Sequence, residues 1–147
     1  MDIKEITQDK KAFLPLLLLG DEQESMIDRY LERGRLFALY DDELRSVCVV
    51  TDEGEGVLEI KNIAVARDFQ RMGYGRSMID FLLETFSGAY RVLRAGTGDS
   101  PLTTGFYERL GFHRADVIRD FFTTNYDHPI VECGVELRDM IIYEREI

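Results

Sequence analysis

The spacing of apolar residues changes along the chain between the two-residue period of a strand and the period of about 3.6 residues of a helix. These changes predict the following elements: a strand over 1–7, helices over 10–19 and 21–33, strands over 35–40, 44–51 and 57–66, a helix over 73–86, a strand over 91–95, a helix over 100–110, and strands over 117–122 and 131–143 around a loop at 123–129. This mixed order is typical of an α/β or α+β sheet covered by helices, and it lacks the strict alternation of a doubly wound sheet.

The strand predicted at 57–66 has the most regular pattern. Its alternation places two sets of side chains on opposite faces: Glu59, Lys61, Ile63 and Val65 against Leu58, Ile60, Asn62 and Ala64. The helix predicted at 100–110 has the clearest ends. Ser100 can cap its N-terminus, Pro101 suits its first turn, and Gly111 is placed to terminate it.

Composition indicates one globular domain over residues 1–147. The chain is 45% hydrophobic and 31% charged, which excludes a disordered, collagen-like or coiled-coil protein. Its 18 basic and 28 acidic side chains give a net charge of −10, which disfavours nucleic acid and membranes as partners unless a local basic patch overrides it. The apolar run at 12–19 is interrupted by Pro15 and is too short to span a bilayer, and the sequence after it does not resemble a signal-peptide cleavage site.

The two cysteines, Cys48 and Cys133, form no CxxC pair and have no neighbouring histidine, so we expect no zinc or other metal site. Cys48 lies within the apolar run at 47–50, which predicts a buried thiol. Unpaired cysteines are typical of a reducing compartment, and we therefore expect a cytoplasmic protein.

The segment at 65–77 is where the sequence indicates chemistry. A predicted strand runs into a loop, and the loop enters a helix through Gly73 and Gly75. The first amides of a helix lack internal partners and attract anions, and glycine lets a phosphate approach the backbone. The loop is also basic, with three arginines against one aspartate: Arg67, Arg71, Arg76 and Asp68. Two interpretations stay open, a phosphate-bearing cofactor or ordinary surface ion pairs.

Two familiar phosphate-binding motifs do not match this loop. A Rossmann fingerprint requires a third glycine where Met78 stands. A Walker A loop requires lysine where Arg76 stands and glycine where Gln70 stands. A second glycine pair, Gly96 and Gly98, precedes the helix at 100–110 and is predicted as a turn.

Residues 70–75, Gln-Arg-Met-Gly-Tyr-Gly, resemble the acetyl-coenzyme A pyrophosphate loop of the GNAT superfamily of N-acyltransferases. Residues 58–65 resemble the central strand that precedes this loop in the family, and residues 106–112 resemble its late helix and following strand. The order and spacing of the three segments match. The resemblance implies a mixed, mostly antiparallel central sheet of six to seven strands, splayed at the centre and flanked by about four helices.

The resemblance implies acetyl-CoA as the acyl donor and no metal. It assigns the pyrophosphate to the loop residues Gln70, Arg71, Met72, Gly73, Tyr74, Gly75 and Arg76. The backbone of Ile63 and Val65 would pair with the pantetheine arm, and one of their amides could polarise the thioester carbonyl. Ser100 stands where many relatives have an asparagine that contacts the cofactor.

The same resemblance implies two catalytic residues. Tyr107 occupies the position of a general acid that protonates the departing thiolate, although a tyrosine in an apolar helix also packs in a core. Glu59 lies where several relatives place a general base for the amine, although it can equally pair with Lys61.

The acceptor side is less defined. Asp127 and His128 lie in an aromatic segment at 121–129, in a region that often lines the acceptor pocket in relatives, so both are candidate substrate contacts. A structural or merely exposed role is the alternative for each. The acidic chain favours a cationic acceptor such as a polyamine, an aminoglycoside-like amine or a basic peptide, and it equally fits a solvated surface.

The main hypothesis is therefore an N-acetyltransferase that moves an acetyl group from acetyl-CoA to a primary amine of a small molecule or peptide, by direct transfer in a ternary complex. A non-catalytic acyl-CoA-binding sensor or regulatory module on the same fold is the alternative. A different donor, such as succinyl-CoA, also stays open. Dimers are common in the family, and the sequence leaves open whether this chain forms a homodimer.

Overall fold

A computed structural model describes residues 1–147. Its elements, in chain order, are β1 (Asp2–Ile6), α1 (Leu14–Gly20), α2 (Glu24–Ile27), β2 (Arg35–Asp41), β3 (Glu43–Asp52), β4 (Val57–Val65), α3 (Tyr74–Phe86), β5 (Val92–Gly98), α4 (Pro101–Arg109), β6 (His113–Ile118), α5 (Phe121–Asn125), β7 (Val131–Glu132), β8 (Val135–Glu136) and β9 (Met140–Glu146). Two short 3-10 helices, Lys10–Phe13 and Arg67–Phe69, precede α1 and follow β4.

Seven strands form one sheet in the order β1-β2-β3-β4-β5-β9-β6, and β7 and β8 form a separate hairpin. All neighbours in the large sheet are antiparallel except β4 and β5, which confirms the predicted mixed, mostly antiparallel sheet. One face packs on α3 and α4 in a core that includes Leu82 and Tyr143. The other face packs on α1 and α2 in a core that includes Leu17 and Ile27.

A bulge in β4 reverses the faces of its side chains midway. Ile60 and Asn62 pair with consecutive residues of β3, so Lys61 between them is the extra residue. Ile60 packs with α3, whereas Ala64 packs with α1 on the opposite face. The uninterrupted alternation predicted for this strand is therefore wrong beyond the bulge, and Ile63 shares a face with Ile60 instead of opposing it.

Pairing between β4 and β5 ends halfway along β4. The two strands pair in parallel only where Val57–Ile60 lie beside Val92–Ala95. Beyond this point β4 continues beside β3 to Val65, and β5 continues beside β9 to Gly98. The sheet is splayed at its centre, as predicted, and each of the two strands has an unpaired inner edge there.

The second glycine pair lies in this splayed region. Gly96 and Gly98 belong to β5, so the predicted turn is wrong. A Cβ on Gly96 would lie 2.5 Å from Sδ of Met140, and one on Gly98 would lie 2.4 Å from Cδ1 of Leu137. These glycines therefore let neighbouring side chains approach the strand, which is a known use of glycine within sheets.

The helix predicted at 21–33 is regular only over α2 and continues as turns. The amides of Arg29 and Tyr30 each bond to a carbonyl three residues back, at 3.1 Å. The apolar spacing nonetheless marks the buried positions correctly, since Tyr30 and Leu31 pack in the core with α1.

The C-terminal third departs from the prediction in two places. The strand predicted at 117–122 lies earlier, as β6, and α5 follows it; every residue of β6 is exposed, so no alternation signals its position. The strand predicted at 131–143 is instead the β7–β8 hairpin followed by β9. Cys133 and Gly134, with φ of 50° and 75°, form the turn of that hairpin.

Candidate functional site

The splayed strands open into a cleft of about 1170 Å³, lined from both sides of the sheet. Ten of the predicted site residues line it: Glu59, Ile63, Val65, Gln70, Arg71, Gly73, Tyr74, Gly75, Arg76 and Tyr107. Four do not: Met72, Ser100, Asp127 and His128. The fold therefore brings the predicted phosphate loop, the edge of β4 and Tyr107 together around one cleft.

The backbone of β4 presents a free edge to this cleft. The amide of Ala66 donates to the carbonyl of Arg45 at 2.8 Å, so even-numbered residues here direct their amides and carbonyls toward β3. Because the direction alternates along a strand, Ile63 and Val65 direct theirs toward the split. The side chain of Gln70 donates to the carbonyl of Val65 at 3.1 Å, which ties the loop to this edge.

The loop after β4 forms a concave array of amides. Arg71 and Gly73 both have left-handed backbone, with φ of 64° and 90°, and such residues turn neighbouring N–H groups inward as an anion-binding nest. Within α3, Ser77 donates to the carbonyl of Gly73 at 2.9 Å, so the amides before it have no partner inside the helix. The array suits a phosphate.

Gly75 and Tyr74 position this loop. A Cβ on Gly75 would lie 3.2 Å from the ring of Phe106, so glycine lets α3 pack closely against α4. The hydroxyl of Tyr74 donates to Oδ2 of Asp41 at 2.7 Å, which anchors the start of α3 to the end of β2. That hydrogen bond raises the pKa of Tyr74 above its ordinary value, with a smaller effect from burial.

Ion pairing accounts for little of the positive charge on the loop. Arg76 lies 3.9 Å from Asp80, and both side chains are exposed. No carboxylate lies within 4.0 Å of Arg67 or Arg71. Arg71 and Arg76 line the cleft, so one unpaired arginine and one exposed, loosely paired arginine are available there to an anionic ligand.

Tyr107 lies at the inner end of the cleft. It is 5% exposed and packs against Phe106, Phe112 and Tyr143, with ring centroids 5.1, 5.3 and 5.8 Å away. Its hydroxyl makes no hydrogen bond within the protein. Burial raises the pKa of Tyr107 far above its ordinary value, with a smaller contribution from the buried thiol of Cys48. The phenol is thus a protonated donor without a partner, facing the cleft.

Glu59 lies beside the last paired residues of β4 and β5. Its side chain is 15% exposed, forms an ion pair with Lys61 and lies 3.6 Å from Nη1 of Arg94. Arg94 in turn donates to Glu144 at 3.1 Å. Glu59 therefore lines the cleft, as a general base requires, and is also paired with Lys61. The structure is compatible with both interpretations of Glu59 from the sequence.

Two further carboxylates in the cleft, Asp21 and Glu132, were not predicted from the sequence. Asp21 follows α1, and its oxygens accept hydrogen bonds from the hydroxyls of Tyr30 at 2.8 Å and Tyr126 at 2.5 Å. Burial raises the pKa of Asp21 above its ordinary value. Glu132 also lines the cleft, and burial raises its pKa, with a smaller effect from Glu22. No local pattern marks Asp21, because the bond from Tyr126 comes from 105 positions away in sequence.

Asp127 and His128 lie outside the main cleft. They line a separate pocket of about 250 Å³ next to α5. Nδ1 of His128 lies 2.6 Å from Oδ1 of Asp127; the Asp127 side chain is largely exposed and the His128 side chain partly so. A contact between either residue and the acceptor stays a prediction.

Ser100 and Met72 lie outside the cleft for different reasons. Ser100 is fully buried at the N-cap of α4, and Pro101 begins the helix as predicted. The predicted cap bond is absent, because Oγ of Ser100 has no partner, although its carbonyl accepts a hydrogen bond from the Thr104 hydroxyl at 3.0 Å. Met72 is 66% exposed and points its side chain away from the core.

Neither a metal cluster nor a membrane helix is present. No group of three or more His, Cys, Asp or Glu side chains is placed to hold a metal ion. None of the helices combines the length and the apolar character needed to cross a membrane. The buried thiol predicted at Cys48 is confirmed, and burial raises the pKa of Cys48 far above its ordinary value.

Comparison with known proteins agrees with this geometry. A family model described as "Acetyltransferase (GNAT) domain" matches residues 32–114. YvbK of Bacillus subtilis strain 168, described as an uncharacterized N-acetyltransferase, is 33% identical over 144 residues, which cover 96% of this chain and 92% of that protein.

Two solved structures are similar over the whole fold. A GNAT family acetyltransferase from Elizabethkingia anophelis, solved with acetyl-CoA bound, is 34% identical with a TM-score of 0.93, covering 99% of this chain and 97% of that one. An acetyltransferase from Bacillus subtilis, solved in complex with CoA, is 30% identical with a TM-score of 0.88 over 99% and 97% of the two chains.

Proposed function

The chain belongs to the GNAT family of acetyltransferases. We propose that it acetylates a primary amine of a small molecule or peptide by direct transfer in a ternary complex. Acetyl-CoA is the acyl donor, as in the related structures that hold acetyl-CoA or CoA. The observation that carries the proposal is the free inner edge of β4, which lines one cleft together with Tyr107 and the unpartnered amides at the start of α3.

The residues of the loop fit a coenzyme A pyrophosphate. The left-handed residues Arg71 and Gly73 turn their neighbouring amides toward one point, and the dipole of α3 adds to their attraction for an anion. Arg71 and Arg76 supply positive side chains on the same rim. Met72 and Ser100 take no part in the proposed site through their side chains.

The donor supplies the acetyl group as a thioester. Ile63 and Val65 are proposed to bind the pantetheine arm through their backbone and to orient the thioester carbonyl. The Tyr107 phenol is proposed to donate its proton to the departing sulfur, and its raised pKa keeps it protonated at neutral pH. Direct transfer requires no cysteine nucleophile, and the Cys48 thiol is buried in the core.

The amine must lose a proton before it can attack. Glu59 is proposed to receive this proton, directly or through water, because its carboxylate lines the cleft on β4. Its neighbours Lys61 and Arg94 hold the carboxylate in a fixed position. The chain is an acetyltransferase by family, and no feature of the site favours the non-catalytic alternative.

The proposal is tested by calorimetric titration with acetyl-CoA, followed by measurement of coenzyme A release across a panel of primary amines. We expect binding that saturates at one site, and release only when an amine is present. Saturable binding without release for any primary amine would contradict amine acetylation. Failure to bind acetyl-CoA would contradict the assignment of the loop.

A further inference from the structure

Asp21 is clamped between two tyrosines at the acceptor side of the cleft. Each carboxylate oxygen accepts one hydroxyl hydrogen bond, Oδ2 from Tyr30 at 2.8 Å and Oδ1 from Tyr126 at 2.5 Å. All three residues line the cleft. The clamp fixes the position of a carboxylate that a bound molecule can reach.

This carboxylate has no ion-pair partner within the protein, and the charge of Arg29 makes only the smallest contribution to its pKa. No lysine, arginine or histidine lies within 4.0 Å of Asp21. The nearby Arg29 donates to the side chain of Asn125 at 3.2 Å instead. Glu59, in contrast, is paired with both Lys61 and Arg94. A partly buried carboxylate without a counter-ion is costly, and a cationic ligand removes that cost.

The clamp lies next to the strand that carries the free edge. The hydroxyl of Tyr30 also accepts a hydrogen bond from Nδ2 of Asn62 at 3.1 Å. Asn62 is 3% exposed, lines the cleft and has no donor for Oδ1. Since Asn62 directly precedes Ile63, only two hydrogen bonds separate Asp21 from the part of β4 that faces the split.

The wall beyond the clamp is mostly aromatic and apolar, with Glu132 as a further carboxylate beside it. The ring of Tyr126 stacks on Phe122 at 5.7 Å and contacts Phe121 edge-on at 6.4 Å. Phe121, Phe122, Ile130 and other apolar side chains line this part of the cleft. Aromatic faces beside a carboxylate attract an ammonium group, and the apolar wall accommodates a hydrocarbon body.

We propose that Asp21 is the ammonium-binding residue of the acceptor site, and that the acceptor is a primary amine with an alkyl or arylalkyl body. This inference rests on the proposed function, because it names the acceptor class of the same cleft. The net charge of the chain alone allows polyamines, aminoglycosides and basic peptides as acceptors, and the proposal selects a narrower class of amine. Asp21 binds the acceptor, whereas Glu59 receives its proton.

The test uses phenethylamine as the probe and phenethyl alcohol as its neutral counterpart, titrated by calorimetry into the full chain saturated with CoA. We expect wild type to bind the amine at least tenfold more tightly than the alcohol. We expect Asp21→Asn to weaken amine binding at least tenfold, while its affinities for the alcohol and for acetyl-CoA stay within twofold of wild type. An unchanged acetyl-CoA affinity shows that the variant is folded.

Two control variants separate charge from structure. Asp28→Asn removes the same charge from an exposed pair with Lys11 and should leave amine binding unchanged. Tyr126→Phe removes one bond of the clamp but keeps the charge of Asp21, and should weaken amine binding no more than about threefold. Equal weakening in Tyr126→Phe and Asp21→Asn would overturn the proposal, because both variants weaken the clamp.

Other outcomes are equally decisive. Failure of wild type to bind phenethylamine, or equal binding by Asp21→Asn, overturns the proposal. If Asp21→Asn does not fold, wild type alone decides, and an amine-to-alcohol affinity ratio near one overturns it. Coenzyme A release from acetyl-CoA with phenethylamine is measured separately. If the amine binds in an Asp21-dependent way but no coenzyme A is released, the proposed function is contradicted while the ammonium site is still supported.

Discussion

The hydroxyl of Tyr126 donates a hydrogen bond of 2.5 Å to Asp21, across 105 positions of sequence. Asp21 directly follows α1, and Tyr126 directly follows α5. A second bond, from the amide of Asp127 to the side chain of Gln23 at 2.9 Å, lies beside it. These contacts tether the segment after α5 to the segment after α1, so this part of the cleft is held together by a few polar bonds.

Replacing Tyr126 with phenylalanine should lower the free energy of unfolding by about 1 to 2 kcal/mol, because a hydrogen bond to a partly buried carboxylate is lost. Urea denaturation monitored by circular dichroism measures the change. Tyr40→Phe is a matched control, since the Tyr40 hydroxyl makes no side-chain hydrogen bond, and it should cost less than about 0.5 kcal/mol. Equal stability losses in the two variants would show that the Tyr126 bond adds nothing.

Gly73→Ala should weaken acetyl-CoA binding by about tenfold or more. Gly73 has φ of 90° with open space around it, so an added Cβ meets no atom and only strains the left-handed backbone. Relief of that strain turns the neighbouring amides out of the array. Calorimetry measures the affinity.

Gly54→Ala is the control for this prediction, because Gly54 has φ of 86° and also has open space around it, in a turn far from the loop. Both variants should lose about 1 kcal/mol of stability. Only Gly73→Ala should lose affinity for acetyl-CoA. A similar loss of affinity in both variants would mean that the array at the start of α3 does not bind the cofactor.

Ionisation of Tyr107 should not lower kcat on the alkaline side of the pH–rate profile. A general acid acts only while it is protonated, and burial raises the pKa of Tyr107 above its ordinary value of 10.0. A raised pKa moves loss of the acid to higher pH, so kcat should not decline between pH 7 and about pH 9.5 through Tyr107. A decline with a midpoint below pH 9 that is present in wild type and absent in Tyr107→Phe would contradict the assignment.

Glu59→Gln should lower kcat at neutral pH by about 100-fold, as expected for loss of a general base. KM for acetyl-CoA should stay within about twofold, because Glu59 lies away from the phosphate loop. Glu144→Gln is the matched control, since Glu144 shares Arg94 with Glu59 but does not line the cleft. If the two variants lower kcat equally, Glu59 acts through its ion pairs and not as a base.

The grouping of the loop at 70–76, the end of β4 and Tyr107 around one cleft could be predicted from the sequence because its determinants are local. The glycines at 73 and 75 and the strand before them lie within one short segment, and the structure brings this segment into the cleft as one unit. Tyr107 lies in a second segment of equally regular pattern, and helix α4 places it as predicted.

The side of the cleft around Asp21, proposed above to bind the acceptor, could not be predicted because its determinants are not local. The bulge at Lys61 leaves the alternation of β4 unchanged in the sequence, yet it reverses which side chains face α1. The clamp on Asp21 depends on Tyr126, whose position follows from a helix that the sequence presents as part of a strand and loop. Asp127 and His128 directly follow that tyrosine in sequence, but they line only the smaller pocket, which shares Tyr126 with the cleft.

Amine acetylation with Tyr107 as the acid is tested most directly by comparing wild type with Tyr107→Phe. The measurement is coenzyme A release from acetyl-CoA with phenethylamine as acceptor. Release by wild type that requires the amine, reduced about 100-fold or more in Tyr107→Phe with acetyl-CoA affinity within twofold, is the predicted result. Release at the same rate in both proteins would contradict the role of Tyr107 as the acid. Absence of release from wild type with phenethylamine and with every other primary amine tested would contradict amine acetylation itself.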